Sequence, residues 1–444
     1  MASQPEQIIH DFGNGLVMRH GTHSDAQALA TFNSQIHSDD QEPDLPVAAW
    51  TEDLLSGNHP IVKPDDFTVV IEAATGKIVS SLCLINQTWT YAGIPFGVGR
   101  PELVGTDPAY RNHGLVRAQF DMIHRWSMER GQMVQAITGI PYYYRQFGYE
   151  MALNLGGWRG AFSANIPQLK PGETEPFTFR PADETDLPAI QHLYNQGCRR
   201  SLVSCQWDET LFRYELLGKR PLNITRLGIA VIEAVDGKAV GFLGYAERTR
   251  GATFTLHRAE LDQGISWWEA APSILRYLWR KGKESDTATG KDLELLALCI
   301  GEQHPFYQAV PEYLPKVNPI YAYYLRLPDL AGFLRLIAPA LEERLQRSPV
   351  CPGFSGSLKL DFYRSGLNMV FERGKLKSVE PWRFSRGDNG VAGFPGLTFL
   401  QVLFGYRSLE EIQQAFPDCW STPRFRPVLN TLFPRQFSSV MPVS

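Results

Sequence analysis

Two stretches of this chain, about 160 residues apart, run through the same order of elements. In the first, LVMRHGT (16–22) reads as a strand, Ser24 and Asp25 offer a cap, and AQALATFNSQI follows with helical apolar spacing. FTVVIE (67–72), the turn signal Ala73-Ala74-Thr75-Gly76 and IVSSLCLINQTWTY (78–91) then read as two paired strands. In the second stretch FTFRPA (177–182) is a strand, Asp183 and Asp186 bracket a cap, and LPAIQHLYNQG is a helix. IAVIEAV (229–235), the turn Asp236-Gly237 and AVGFLGYA (239–246) repeat the hairpin. Two copies of one α/β unit is the simplest reading, and the polar, proline-bearing NIPQLKPGETEPF (165–177) reads as the linker between them.

After residue 322 the pattern changes. LAGFLRLIAPALEERLQ reads as a helix with Leu330, Phe333, Leu334, Ile337 and Leu341 on its apolar face. GSLKLDFY (356–363), LNMVFE (367–372) and GKLKSV (374–379) read as an antiparallel meander, and LTFLQVLFGYRSLEEIQQAF as one long or two short helices. The expected fold class is therefore α+β, in three units at 1–165, 166–321 and 322–444. A length of 444 residues gives the same number at about 150 residues per domain.

Composition narrows the function. A formal net charge of −4 offers no basic field for nucleic acid. No apolar run approaches the roughly 18 residues that a membrane span needs. The start MASQPEQIIHDFGNG has neither the basic nor the apolar region of a signal peptide. The six cysteines, at 83, 198, 205, 299, 351 and 419, show no C-x-x-C spacing and no histidine cluster. Neither a metal site nor a disulfide framework is expected, and the chain is read as cytoplasmic.

The stretch that carries chemistry runs from Leu103 to Tyr149. Arg111-Asn112-His113-Gly114-Leu115-Val116 falls between a strand (101–106) and a helix (114–130). A helix N-terminus presents about four unpaired N–H groups and the positive end of a dipole, Gly114 allows close approach, and Arg111 and His113 flank it: a place for a pyrophosphate. After the strand QMVQAIT (132–138) comes Tyr144-Arg145-Gln146-Phe147-Gly148-Tyr149.

In these two motifs the chain resembles the GNAT superfamily of acetyl-CoA-dependent N-acetyltransferases. Arg111-x-x-Gly114-x-Val116 follows their Q/R-x-x-G-x-G/A pattern, with Val116 where Gly or Ala is usual. Tyr144-x-x-x-Gly148-Tyr149 follows their Y-x-x-x-G-F/Y element. In architecture nearly the whole chain resembles the Eis-type branch, which has a catalytic GNAT domain, a second GNAT-like domain without a cofactor site and a sterol-carrier-protein-like C-terminal domain. His304-Pro305-Phe306-Tyr307 is all that the second unit keeps of the tyrosine element, so one cofactor site per chain is expected.

The resemblance implies roles. Val104, Gly105 and Thr106 would pair with the pantetheine arm of acetyl-CoA. Asn112, His113, Gly114, Leu115, Val116 and Arg117 would cradle the pyrophosphate, with Arg111 adding charge. Thr138 and Gly139 would line the thioester. Tyr144 would be the general acid that protonates the departing thiolate. The base would be the Ser444 terminal carboxylate or Glu102. Trp89, Phe96, Asp39, Asp40, Glu42 and Asp44 fall where the family builds its acceptor pocket. The acceptor implied is a primary amine on an aminoglycoside, a polyamine or a lysine side chain, and the assembly a homo-oligomer, a hexamer. Two competing functions are a lipid or small-molecule binding protein, with LTFLQVLFGY lining a tunnel, and a GNAT scaffold without catalysis.

Overall fold

The computed structural model describes residues 8–39, 42–285 and 290–444. Its strands, in chain order, begin with β1 (Ile8–Gly13), β2 (Leu16–His20), β3 (Phe67–Glu72), β4 (Ile78–Tyr91), β5 (Ile94–Thr106), β6 (Val134–Ile137), β7 (Glu150–Leu155) and β8 (Trp158–Phe162). They continue with β9 (Phe177–Pro181), β10 (Val203–Cys205), β11 (Leu227–Ala234), β12 (Ala239–Ala246), β13 (Thr253–Leu261), β14 (Leu295–Leu298), β15 (Lys316–Asn318) and β16 (Tyr321–Arg326).

The first sheet has the order β1-β2-β3-β4-β5-β6-β16-β7, with β10 on an end of β4. Both of its faces are covered. Leu82 and Leu84 of β4 pack beneath α3 (Leu115–Glu129), while Cys83 and Ile85 between them pack beneath α1 (Ala26–Ile36) and α2 (Leu45–Leu55). A strand buried on both faces has no need of strict polar alternation, which is why 78–91 alternates only in part. The α1 helix, β3, β4 and β12 have the same limits as the sequence reading gives them, whereas β5 begins at Ile94, seven residues before the expected extended run.

The second sheet has the order β15-β8-β14-β13-β12-β11-β9. Laid beside the first, it shows an exchange. The first sheet's parallel strand β6 is followed by β16, which comes from after the second stretch; the second sheet's parallel strand β14 is followed by β8, which comes from before it. The second sheet thus takes β8 from the first unit, the first sheet takes β10 and β16 from beyond it, and sheet membership crosses the divisions at 165/166 and 321/322. Polar contacts add to the union. Asp53 on α2, 4% exposed, accepts from Arg220 N (2.9 Å), Arg220 Nη1 (2.9 Å) and Asn223 Nδ2 (2.7 Å). Removing a buried acceptor strands its donors, so Asp53→Ala is expected to lose about 2–3 kcal/mol, seen as a lower unfolding midpoint in calorimetry.

The third region holds a five-stranded sheet in which Gly356–Asp361, Gly366–Glu372 and Lys375–Pro381 form the expected meander. The expected single helix at 330–346 is two, Leu330–Leu336 and Ala338–Arg347, because Pro339, in the first turn of the second, has no N–H to continue the ladder and its ring would clash with the carbonyl four residues before it. In LTFLQVLFGY, Phe399, Leu400, Val402, Leu403 and Phe404 are buried in the core.

Candidate active site

The first sheet opens in its middle. β5 and β6 run parallel and pair only at Val98↔Val134 and Gly99↔Gln135. Beyond that, β5 stays bonded to β4 as far as Thr106, and β6 stays bonded to β16 as far as Ile137. The two strands part and leave a V-shaped gap. A bulge turns β5 away: Leu103 and Val104 together oppose Leu82, and buried Leu103 takes φ +52°. An extra residue on one strand bends it, and the edge groups facing the gap are left for another partner. Val104, Gly105 and Thr106 lie on this edge. α1 crosses closely at Gly105, where a Cβ would stand 2.7 Å from Ile36 Cγ2. Ser80 Oγ, 2.8 Å from both Gly105 O and Thr106 Oγ1, ties the strand to β4.

At the mouth of the gap the chain passes through Arg111–His113 and enters α3. Gly114 is the N-cap residue at φ +76°, a left-handed conformation that suits glycine. No side chain caps the helix, and its first turn carries no acid. The first intrahelical bond runs from Ala118 N–H to Gly114 O (3.1 Å). Among the described residues the N–H groups of Asn112, His113, Gly114, Leu115, Val116 and Arg117 meet no acceptor. Leu115 is buried and anchors the helix start, while Arg111, His113 and Arg117 are exposed around it. Arg117 donates to Gln146 Oε1 (3.0 Å) and lies over the Phe147 ring, which joins this loop to the tyrosine turn. Open donors, a helix dipole and two arginines are features that favour an anion.

The tyrosine turn returns to the gap. Tyr144 is 4% exposed, its ring packed among Phe120, Tyr143, Tyr149 and Tyr324. Thr138 and Gly139 follow β6, and Tyr144 Oη is 3.7 Å from where a Cβ on Gly139 would stand. Among the described residues nothing hydrogen-bonds this hydroxyl, and burial, then the charge of Glu102, raises its pKa. The phenol therefore holds its proton at neutral pH.

Glu102 lies on β5 three residues past Gly99, the last to pair with β6. Its side chain is 17% exposed and ion-paired with Arg100. Burial raises its pKa and Arg100 opposes the rise, the setting of a carboxylate poised to take a proton. Arg100 also reaches the last residues of the chain, donating from Nη1 to Val443 O (3.1 Å) and Ser444 Oγ (3.2 Å). Sequence reasoning singled out Glu102 and Ser444 but missed the arginine between them. The signal was there: residues i and i+2 of a strand share a face.

The expected acceptor-pocket residues divide. Trp89 and Phe96 belong to the core, where Trp89 donates to Gln87 Oε1 and Phe96 packs on Phe333. Asp44 caps α2 by accepting from Val47 N–H (3.2 Å), Asp39 and Glu42 are exposed, and Asp40 lies outside the described residues.

In the second unit β13 likewise runs on past its last pair with β14, but three features differ there. The helix that corresponds to α3, Trp267–Glu284, is capped by Ser266, which accepts from Glu269 N–H, and carries Glu269 in its first turn. Tyr307 gives its hydroxyl proton to Leu298 O. A Cβ on Gly301 would stand 3.0 Å from Ser439 Cβ, so the 437–439 segment fills the place beside it.

Residues 18–152 match the family model described as an acetyltransferase (GNAT) domain. No curated protein matches the chain. Among solved structures, the chain is similar to a conserved protein of unknown function from Enterococcus faecalis V583, described as a probable N-acyltransferase, with 14% identity and TM-score 0.67 over 97% of this chain and 100% of that one. It is similar to a GCN5-related N-acetyltransferase from Anabaena variabilis, with 14% identity and TM-score 0.64 over 96% and 99%. It is also similar to Eis1 from Mycobacterium abscessus, with 13% identity and TM-score 0.57 over 96% and 99%. At these identities the likeness is one of fold. The family match falls within the first unit, and the molecule is a mixed α+β fold of several sheets. Among the described residues no helix is long and apolar enough to cross a membrane, and no group of three or more metal-binding side chains occurs.

Proposed function

We propose that the chain is an N-acetyltransferase that moves an acetyl group from acetyl-CoA to a primary amine. The observation that carries this reading is the uncapped N-terminus of α3 at the mouth of the β5/β6 gap, with the unpartnered Tyr144 hydroxyl at its other side. The N–H groups of residues 112–117, with Arg111 and Arg117, hold the pyrophosphate. The free edge of β5 at Val104–Thr106 holds the pantetheine arm, and Thr138 and Gly139 border the thioester.

The reaction is a direct attack. The amine nitrogen bonds to the thioester carbonyl carbon and the C–S bond breaks. Tyr144 Oη gives its proton to the leaving thiolate, and Glu102 takes the proton that the amine loses. The Ser444 carboxylate is the alternative base; Arg100 pairs with Glu102 and donates to the Ser444 hydroxyl. Removing residues 443–444 and, separately, replacing Glu102 by Gln tells them apart.

In the same reading the second unit is a GNAT-like domain without a cofactor site, the third is sterol-carrier-like, and the chain assembles into a homo-oligomer. The acceptor class is an aminoglycoside, a polyamine or a lysine-like amine, since Glu102 presents a carboxylate to the incoming cation. The test is free-thiol release from acetyl-CoA with a panel of such amines. Release that depends on an amine is the expected result; none with any amine, while acetyl-CoA binds, overturns the acceptor class. Gly114→Asp, which sets a carboxylate among the open N–H groups, is expected to weaken CoA binding by about 10–100-fold in calorimetry.

A further inference from the structure

We infer that Arg100 is the positioning residue of this site: one buried guanidinium that aims the Glu102 carboxylate and seats the 441–444 segment against it. The inference rests on the reading of Glu102 as the base. Arg100 is 7% exposed and is the first residue of β5 past the last β5–β6 pair. Its two ends face different partners. Nη2 pairs with Glu102, and Nη1 donates to Val443 O and Ser444 Oγ.

The seat is built from more than this side chain. Gln87 on β4 donates from Nε2 to Val443 O (2.7 Å), and its Oε1 accepts from Trp89 Nε1 (2.7 Å), which fixes the amide the right way round. Trp207, just past β10, donates from Nε1 to Met441 O (3.0 Å). The Val443 side chain is 3% exposed, so the segment is packed as well as bonded. Donors from β4, from β5 and from the second unit thus converge on four residues that lie beside the candidate base.

Arginine suits this place for a physical reason. A guanidinium keeps its charge when buried and offers donors in a planar fork, so it can hold a carboxylate at one end and a carbonyl at the other. An ammonium is a point charge that serves one of them. The groups facing Glu102 are Arg100, the Cys83 thiol of β4 and the Tyr144 and Tyr323 phenols, and of these only Arg100 carries charge at neutral pH.

The experiment compares wild type, Arg100→Gln and Arg100→Lys in two readouts. The first is the pH profile of kcat/KM with the best amine of the panel. A base must be ionised, so activity rises with pH through the Glu102 pKa. Loss of the only neighbouring cation is expected to move this rising limb of Arg100→Gln up by about 1 pH unit or more, while Arg100→Lys stays near wild type. The second is amide hydrogen exchange at residues 441–444, expected to quicken at least about tenfold in both variants. A role in folding alone would lower kcat/KM evenly across pH; an unmoved limb in Arg100→Gln overturns the inference. Should that variant not fold, wild-type exchange in Arg100→Lys overturns it instead. Glu102→Gln separates the two readings. Wild-type turnover in that variant removes Glu102 as base, whereas the exchange readout still decides whether Arg100 seats the segment.

Discussion

Tyr144→Phe is expected to bind acetyl-CoA as the wild type does and to turn over about 10²-fold more slowly or worse. The change removes one oxygen, and that oxygen has no partner among the described residues whose loss would disturb the fold. The ring keeps its neighbours, with centroids 5.2 Å from Tyr143 and 5.5 Å from Tyr324. A fall in kcat with KM held is the signature of an interaction made only in the transition state. Tyr307→Phe is the matched control. Its hydroxyl is engaged with Leu298 O, so the variant should lose about 1 kcal/mol of stability and keep its turnover. Steady-state kinetics beside calorimetric unfolding of both variants checks the pair.

Glu102→Gln is expected to lower kcat/KM by about 10²–10⁴-fold and to flatten the acidic limb of its pH profile. The sign follows from the site. Burial raises the Glu102 pKa, so the ionised form that accepts a proton is lost at a higher pH than for an exposed carboxylate. Wild-type activity should therefore fall as pH drops through that raised value, and a carboxamide has no such transition. Rescue of the limb at any pH in the variant would assign it to another group.

The local chemistry of the site was legible because it is written in consecutive residues. A strand, Gly114 at the start of a helix and a tyrosine four residues before Gly148 lie within one stretch of the chain. The fold was legible for the same reason where elements pair with their neighbours, as β3 does with β4. What the sequence hid is nonlocal. WRGAF and YAYYLR are ordinary half-buried strands, and nothing in either says that it completes the other unit's sheet. The bulge at Leu103 was hidden too, since its φ of +52° falls on a leucine and not on a glycine. The seat of residues 441–444 is assembled from positions 87, 100 and 207, which only the folded sheet brings together. In the opposite direction, Trp89 and Phe96 read as pocket residues because they fall where the resembled family builds its acceptor pocket, yet the third region covers them and makes them core.

The two units differ at one place: the α3 N-terminus has no side-chain cap, and its counterpart at Trp267 is capped by Ser266 with Glu269 in its first turn. Calorimetric titration of the full chain with CoA measures this directly. Binding of one CoA per chain, weakened by Gly114→Asp and untouched by Ser266→Ala, is the predicted result. No binding, two sites per chain, or wild-type affinity in Gly114→Asp would contradict it.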